Sequence, residues 1–162
     1  MTLPSAFRKQ ALLASVALSV VLLDQLTKYL VRAYIPFGDA FPRDGLIRLT
    51  HVTNTGTAFG LFQSQAAVFL WLGLVAIALV LVLVFSRSPT FSSPWARLAL
   101  GLELGGGIGN LIDRLRFGEV VDFVDLRVWP VFNVADASIT VGVIVLAAYL
   151  AFSGRKPAKD SS

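Results

Sequence analysis

Residues 105–136 read GGGIGNLIDRLRFGEVVDFVDLRVWPVFNVAD, from Gly105 to Asp136, and lie between two apolar segments. Asn110, Asp113, Arg114, Asp122, Asn133 and Asp136 bring amide, acidic and basic side chains to a place where the surrounding composition calls for lipid. A membrane accepts such groups only when they face protein or water, and there they are usually functional. Asn110, Asp113 and Arg114 stand at i, i+3 and i+4, so they share one face of a helix. Asn133 is a good N-cap for the helix that follows, and Asp136, three residues on, falls in its first turn. Asp122 and Asp136 thus sit at opposite ends of one short connection at the same membrane boundary, where they can meet.

The rest of the chain reads as what carries that stretch. Of the 162 residues 56% are hydrophobic and only 15% charged, against roughly 25% charged in soluble domains, and the mean hydropathy is +0.73. The deficit of charge is concentrated in runs that can cross a bilayer, which takes about 20 apolar residues as a helix. We read an all-α membrane protein, a four-transmembrane-helix bundle forming one integral domain over residues 1–154, with helices at about 11–33, 66–85, 95–115 and 134–152. Ala66 to Phe85 is uninterrupted and the least ambiguous of these. Gly101, Gly105 and Gly109 make two overlapping small-xxx-small motifs, a spacing that lets helix backbones approach closely. Arg8 and Lys9 before the apolar run that starts at Ala11 raise the alternative of a cleaved signal peptide. That run continues past Asp24 to Tyr34, too far for an ordinary signal.

Two segments, 35–65 and 116–132, leave the membrane on the same side. Ile47 and Leu49 alternate with Arg48 and Thr50, a short half-buried strand pattern. Pro36, Gly38, Pro42 and Gly45 punctuate its approach, and Asn54-Thr-Gly56 supplies a turn. The expectation is a small extracytoplasmic β-sheet between helices 1 and 2, carrying His51 as a surface or turn residue. Basic residues flank the N-terminus, the 86–94 loop (Arg87, Arg97) and the C-terminal tail at 155–162 (Arg155, Lys156, Lys159). The positive-inside rule makes those three regions cytoplasmic. Arg32, Arg43, Arg48, Arg116 and Arg127 oppose that assignment, which therefore leans on the even number of crossings.

Composition also excludes chemistries. The net charge of +4 forms no aromatic-interleaved basic face, so nucleic acid is not an expected partner. With no cysteine there is no disulfide, thiolate metal site or cysteine nucleophile, and a single histidine, His51, rules out a cluster of imidazoles. Carboxylates remain. Asp24 and Lys28 stand four apart on the first helix, acid first, the favourable order for an ion pair. A rise of about 1.5 Å per residue from Ala11 puts Asp24 roughly 20 Å across the membrane. The pair is either a neutralised structural element or a support for a site at the outer face.

Two close carboxylates in a partly dry site cannot both ionise easily, so one is pushed up and they share a proton. The ionised member then draws a proton from water while the protonated one polarises a peptide carbonyl, without metal or covalent nucleophile. Spacing alone equally fits solvated or ion-paired acids at helix ends. Two other classes stay open on these residues: an ion- or proton-coupled transporter, since membrane carboxylates mark ion paths, and a Mg²⁺-dependent enzyme acting on phospholipid head groups.

Five blocks in order, Asp24-Gln-Leu-Thr-Lys28, Asn54-Thr-Gly-Thr-Ala-Phe-Gly60, Gly105-Gly-Gly-Ile-Gly-Asn-Leu-Ile-Asp-Arg114, Val120-Val-Asp-Phe123 and Phe132-Asn-Val-Ala-Asp136, resemble the lipoprotein signal peptidase (signal peptidase II) family over nearly the whole chain. The resemblance implies a monomeric aspartyl endopeptidase of the bacterial plasma membrane, with both termini cytoplasmic and the site near the extracytoplasmic face. It implies removal of the signal peptide from prolipoproteins just before a diacylglyceryl-modified cysteine, with no cofactor or metal. It makes Asp122 and Asp136 the catalytic pair. Asn54, Gly56, Asn110, Arg114 and Asn133 fall at positions lining the site, and Asp24, Lys28 and an ion-paired Asp113 at supporting ones. Two features depart from the pattern: a short connection from Asp122 to Asp136, and Glu103 within the third helix, expected to be neutral or hydrogen-bonded to another helix.

Overall fold

The computed structural model describes residues 5–54, 66–86 and 88–153. Along them run α1 (Ser5–Tyr34), β1 (Ala40–Phe41), β2 (Arg48–Asn54), α2 (Ala66–Phe85), a 3-10 turn at Thr90–Ser92, α3 (Pro94–Phe117), β3 (Val120–Asp125) and α4 (Val134–Ser153). Gly56, the Asn54-Thr-Gly56 turn, Arg87 and the 155–162 tail lie outside the described residues. Among the described residues three helices are long and apolar enough to cross a membrane, at Phe7–Tyr34, Ala67–Phe85 and Val134–Ser153. α3 is not among them, because Arg97, Glu103, Asp113, Arg114 and Arg116 interrupt its apolar character. It is instead the helix that packs against the other three.

Local chemistry explains where α3 begins and ends. The Ser93 hydroxyl accepts from the Ala96 amide at 3.1 Å, and Pro94 follows at the first helical position, where its missing N–H is not needed. At the other end Gly118 adopts φ 78°, a left-handed conformation that only glycine takes without penalty, and its amide returns to the Arg114 carbonyl at 3.0 Å. Near its start Arg97 is buried and donates to the Val84 carbonyl at 2.9 Å, closing the last turn of α2. Arg97 is therefore a helix cap as well as a basic residue beside a membrane span.

The glycines of α3 are seats for its neighbours. A Cβ at Gly105 would lie 2.7 Å from both the Ala17 carbonyl and the Val20 Cβ of α1, and one at Gly109 would lie 2.6 Å from an Asp24 carboxylate oxygen. A Cβ at Gly106 would strike the Ala135 carbonyl at the start of α4. One glycine stripe thus brings α1 in close, and its neighbour does the same for α4. Gly142 of α4 does the reverse, making room for the Glu103 Cγ. The expected hydrogen bond from Glu103 to another helix is not made through Oε1, which is buried without a partner among the described residues.

The sheet differs from the expectation in one respect that matters. Among the described residues it is three-stranded, ordered β1-β2-β3, and its third strand comes from the connection between α3 and α4 and not from the 35–65 segment. All pairs are antiparallel, and β2 carries one extra residue between Leu49 and Val52. There the Thr50 hydroxyl donates to the Asp39 carbonyl at 2.8 Å, and His51 Nδ1 lies 2.8 Å from the Ile35 carbonyl. His51 is thus a strand residue tying the sheet to the end of α1. The strand alternation also points opposite to a soluble protein's: Thr50 is buried, while Leu46, Ile47 and Leu49 are exposed.

Gly105→Ala should lower the melting temperature in detergent by several degrees, an overpacking penalty of about 1–3 kcal/mol. Gly73→Ala, where an added Cβ meets nothing within 4 Å, should leave it unchanged or raise it. Equal behaviour of the two variants would remove the close helix approach as a determinant of the fold.

Candidate active site

The site starts from the way α4 begins. The Asn133 side-chain oxygen accepts from the Asp136 amide at 2.9 Å, while Asp136 Oδ2 accepts from the Asn133 amide at 3.3 Å. This is a reciprocal capping box with aspartate in the role usually taken by glutamate, and it fixes the Asp136 carboxyl over the first turn. Asn133 is itself fully buried, and its Nδ2 donates to Asp122 Oδ1 at 2.7 Å. One helix cap therefore joins the two carboxylates.

Asp122 is central in β3, opposite Val52 and enclosed by strand β2. Its second oxygen accepts from Asn54 Nδ2 at 3.1 Å. Burial, reinforced by the negative charge of Asp136, pushes its pKa up to about 6, against hydrogen bonds from Asn54 and Asn133 and the charge of Lys28 that favour the anion. Three residues along the same strand Asp125 goes the other way. Hydrogen bonds from the Arg48 guanidinium and the Arg127 amide hold it below the usual carboxylate range.

Behind the pair lies a charged cluster with no solvent exposure. Lys28 Nζ is 2.8 Å from Asp24 Oδ2, 3.3 Å from Asp113 Oδ2 and 2.9 Å from Asn110 Oδ1. Asn110 Nδ2 continues to Asp136 Oδ1 at 2.7 Å. The cluster also reaches backbone: Asp24 Oδ1 accepts from the Ala135 amide at 3.0 Å and Asp113 Oδ2 from the Val121 amide at 3.3 Å. The half-buried Arg114 interacts electrostatically with Asp136, Asp122 and Asp113.

Asp24, Lys28, Asn54, Asn110, Asp113, Arg114, Asp122, Asn133 and Asp136 are therefore gathered in one region, whereas Gly56 lies outside the described residues. The ion-pair partners of Asp113 are Lys28 and Arg32, the latter at 3.3 Å, and not the adjacent Arg114. Two participants were not anticipated. Gln25 Nε2 reaches Asp24 Oδ2, the Gly109 carbonyl and Asp113 Oδ1 at 3.1–3.2 Å. Arg32 follows Asp24 and Lys28 at the same four-residue step, a periodicity that was available to find it. A groove of about 370 Å³ opens beside Asp136, lined by Leu126, Trp129, Phe132, Thr140 and Val141.

Apolar helices around two aspartates joined by one asparagine define the class, a helical membrane protein with a polar, carboxylate-bearing site. The comparisons narrow this class. Residues 16–152 match the family model described as signal peptidase (SPase) II, and the chain belongs to that family. The lipoprotein signal peptidase of Moorella thermoacetica is 45% identical over 146 residues, covering 87% of this chain and 96% of the relative. That of Halothermothrix orenii is 42% identical over 137 residues, covering 83% and 92%. A bacterial membrane enzyme solved by the in meso method at 2.3 Å superposes with a TM-score of 0.76 at 30% identity, over 91% of this chain and 92% of the other.

Asn54→Ala removes a hydrogen bond that favours ionised Asp122, so the carboxyl should titrate above about 6. Carboxyl-labelled aspartate followed by NMR in micelles reads this directly. An unchanged midpoint would mean Asn54 is irrelevant to the charge on Asp122.

Proposed function

We propose that this chain is an aspartic endopeptidase that removes the signal peptide of diacylglyceryl-modified prolipoproteins just before the lipidated cysteine, with Asp122 and Asp136 as its acid–base dyad. The observation that carries the dyad is Asn133, which hydrogen-bonds both carboxyls and holds them on one side of the capped helix start. The ionised member takes a proton from water as the oxygen attacks the scissile carbonyl carbon, and the protonated member donates to the carbonyl oxygen. Collapse of the tetrahedral intermediate breaks the C–N bond, returns that proton to a carboxylate and delivers the other to the leaving amine. An acid titrating near 6 is suited to both halves of this cycle near neutral pH. Amide donors and the nearby cations Lys28 and Arg114 surround the carboxylates, a setting that favours anions and disfavours a divalent metal.

The same reading has four crossings. α3 contains 24 residues, about 36 Å at about 1.5 Å each, enough for a hydrocarbon core of roughly 30 Å. Its charges are tolerable because α1, α2 and α4 surround it. Both termini and the α2–α3 loop are then cytoplasmic, the tail at 155–162 included, and the sheet and dyad lie at the extracytoplasmic face of one integral domain. The substrate is a lipid-modified precursor arriving through the bilayer, and the apolar groove beside Asp136 is of the right chemistry to take part of it. The enzyme acts as a monomer, without nucleic acid.

Asp122→Asn and Asp136→Asn should each reduce cleavage of a lipidated precursor by about 10²–10⁴-fold or more. Asp122 titrates higher in the fold than in the unfolded chain, so the folded state holds the extra proton between pH 3.8 and about 6 and the carboxylate opposes folding above that window. Asp122→Asn should accordingly melt at or above the wild-type temperature at neutral pH. Retained cleavage in either variant would sink the dyad. Cleavage should survive EDTA, whereas a Mg²⁺-dependent head-group enzyme would stop.

A further inference from the structure

Lys28 is separated from Asp136 by one side chain, and apart from its charge, which acts on Asp122 through space, it meets the carboxylate pair through that side chain. An ammonium has three donors and no acceptor. The ammonium donates to Asn110 Oδ1 at 2.9 Å and is ion-paired with Asp24 Oδ2 at 2.8 Å and Asp113 Oδ2 at 3.3 Å. What lies between Lys28 and Asp136 is therefore the Asn110 amide, with its oxygen toward the ammonium and its Nδ2 toward Asp136 Oδ1.

The two ends of an asparagine amide have the same shape, so packing cannot tell them apart. Charge can. Rotating Asn110 by half a turn would set N–H against the Lys28 ammonium and oxygen against the Asp136 carboxylate, two repulsions in a buried place. Asn133 Nδ2 points at Asn110 Oδ1 as well, at 3.3 Å, and at the Val121 carbonyl, while its oxygen takes the Asp136 amide, so the two amides agree in orientation. Asn133 in turn donates to Asp122 Oδ1. The two shortest donors to the dyad, both at 2.7 Å, thus fall on the Oδ1 atoms. Among the described residues the Oδ2 atoms have donors only at 3.1 and 3.3 Å. A proton is least favoured on an oxygen already accepting a short N–H bond.

We propose that Lys28 is the positioning residue of the dyad: clamped by Asp24 and Asp113, it fixes the polarity of the Asn110–Asn133 amide pair and so confines the shared proton to the Oδ2 oxygens of Asp122 and Asp136. This rests on the reading of those two aspartates as the dyad. Among the described residues the charged groups acting on them are Lys28 from α1 and Arg114 from α3, and each other across β3 and α4; β2 contributes the neutral Asn54.

Lys28→Met alone would strand Asp24, so the test is Asp24→Asn/Lys28→Met. It leaves Asp113 with Arg32 and keeps an oxygen at position 24 for the Ala135 amide. With the purified full chain in detergent and a lipidated precursor, kcat should fall at least about tenfold with KM changed less than about threefold. The acid limb of the rate profile should move to higher pH, because a charge favouring ionised Asp122 is gone. In an Asn110→Leu background the same double change should add no further loss of kcat. A wild-type kcat and pH profile, or additive losses, would overturn the proposal. Should the double variant fail to fold, the wild-type chain decides. The Asn110 side-chain amide protons must titrate with the same midpoint as the rate profile, and an amide insensitive to that titration is incompatible with the assigned orientation. Full cleavage by Asp122→Asn would instead remove the dyad itself, a result distinguishable from failure of the Lys28 assignment alone.

Discussion

Three charges without access to solvent, Asp24, Lys28 and Asp113, hold this molecule at its centre. Breaking such a group by deleting one member typically costs about 3–5 kcal/mol, since what remains is an uncompensated buried charge. Their position depends on the glycine stripe of α3: without the bare backbone at Gly105 and Gly109, α1 stands too far off for Lys28 to reach Asp113 and Asn110. Each acid also takes hold of an element it does not belong to. Asp24 accepts from the first turn of α4 and Asp113 from the first residues of β3. Four pieces of chain are thereby referred to one point, and two of them carry the aspartates of the site.

The two aspartates of β3 show how far surroundings decide what a carboxyl is. Asp125 meets a guanidinium at the sheet edge and is held as an anion. Asp122, three residues away, is driven toward the neutral form by burial and by another carboxyl, against the amides that bond it. The donors around Asp122 are neutral, so they can serve either protonation state by small rotations, whereas an arginine would commit it to one. A helix cap provides the most important of those donors. Asn133 and Asp136 would form a good α4 start in any protein; here the same bonds tie Asp136 to Asp122, the two aspartates proposed as the dyad.

Most of the helices were legible in the sequence because lipid imposes a simple rule on long apolar runs, and the ends of α2 and α4 fall within a residue of expectation. α1 begins earlier than its apolar stretch, at Ser5, since an amphipathic turn can continue a helix that hydropathy does not register. The cap at Asn133 and the shared face of Asn110 and Asp113 were readable from local spacing. Pairing between distant segments was not. Nothing in 116–132 marks it as a partner for β2, because Val120 to Asp125 lacks the alternation of a half-buried strand and is instead buried almost throughout. Likewise Asp113 has a basic neighbour in sequence, Arg114, yet pairs with cations on α1 that only the helix packing brings near. The burial sense of β2 was misleading for a physical reason: where the surrounding medium is partly apolar, the greasy side of a strand has no need to turn inward.

That outward-facing side has a consequence for how the molecule measures its substrate. Leu46, Ile47 and Leu49 of the sheet region and Val128 and Trp129 of the neighbouring connection are exposed apolar side chains that offer a rim, and a tryptophan in it settles at the boundary between head groups and acyl chains. The sheet also holds Asp122 at a fixed height relative to that rim. With the dyad at the extracytoplasmic face, as proposed, the membrane surface acts as a ruler: the rim rests on it, and a bond is reached by virtue of its depth. A bilayer of different thickness would then displace the anchored substrate and the anchored enzyme alike at this face, so the cut stays in register with the lipidated residue whatever the length of helix that spans below.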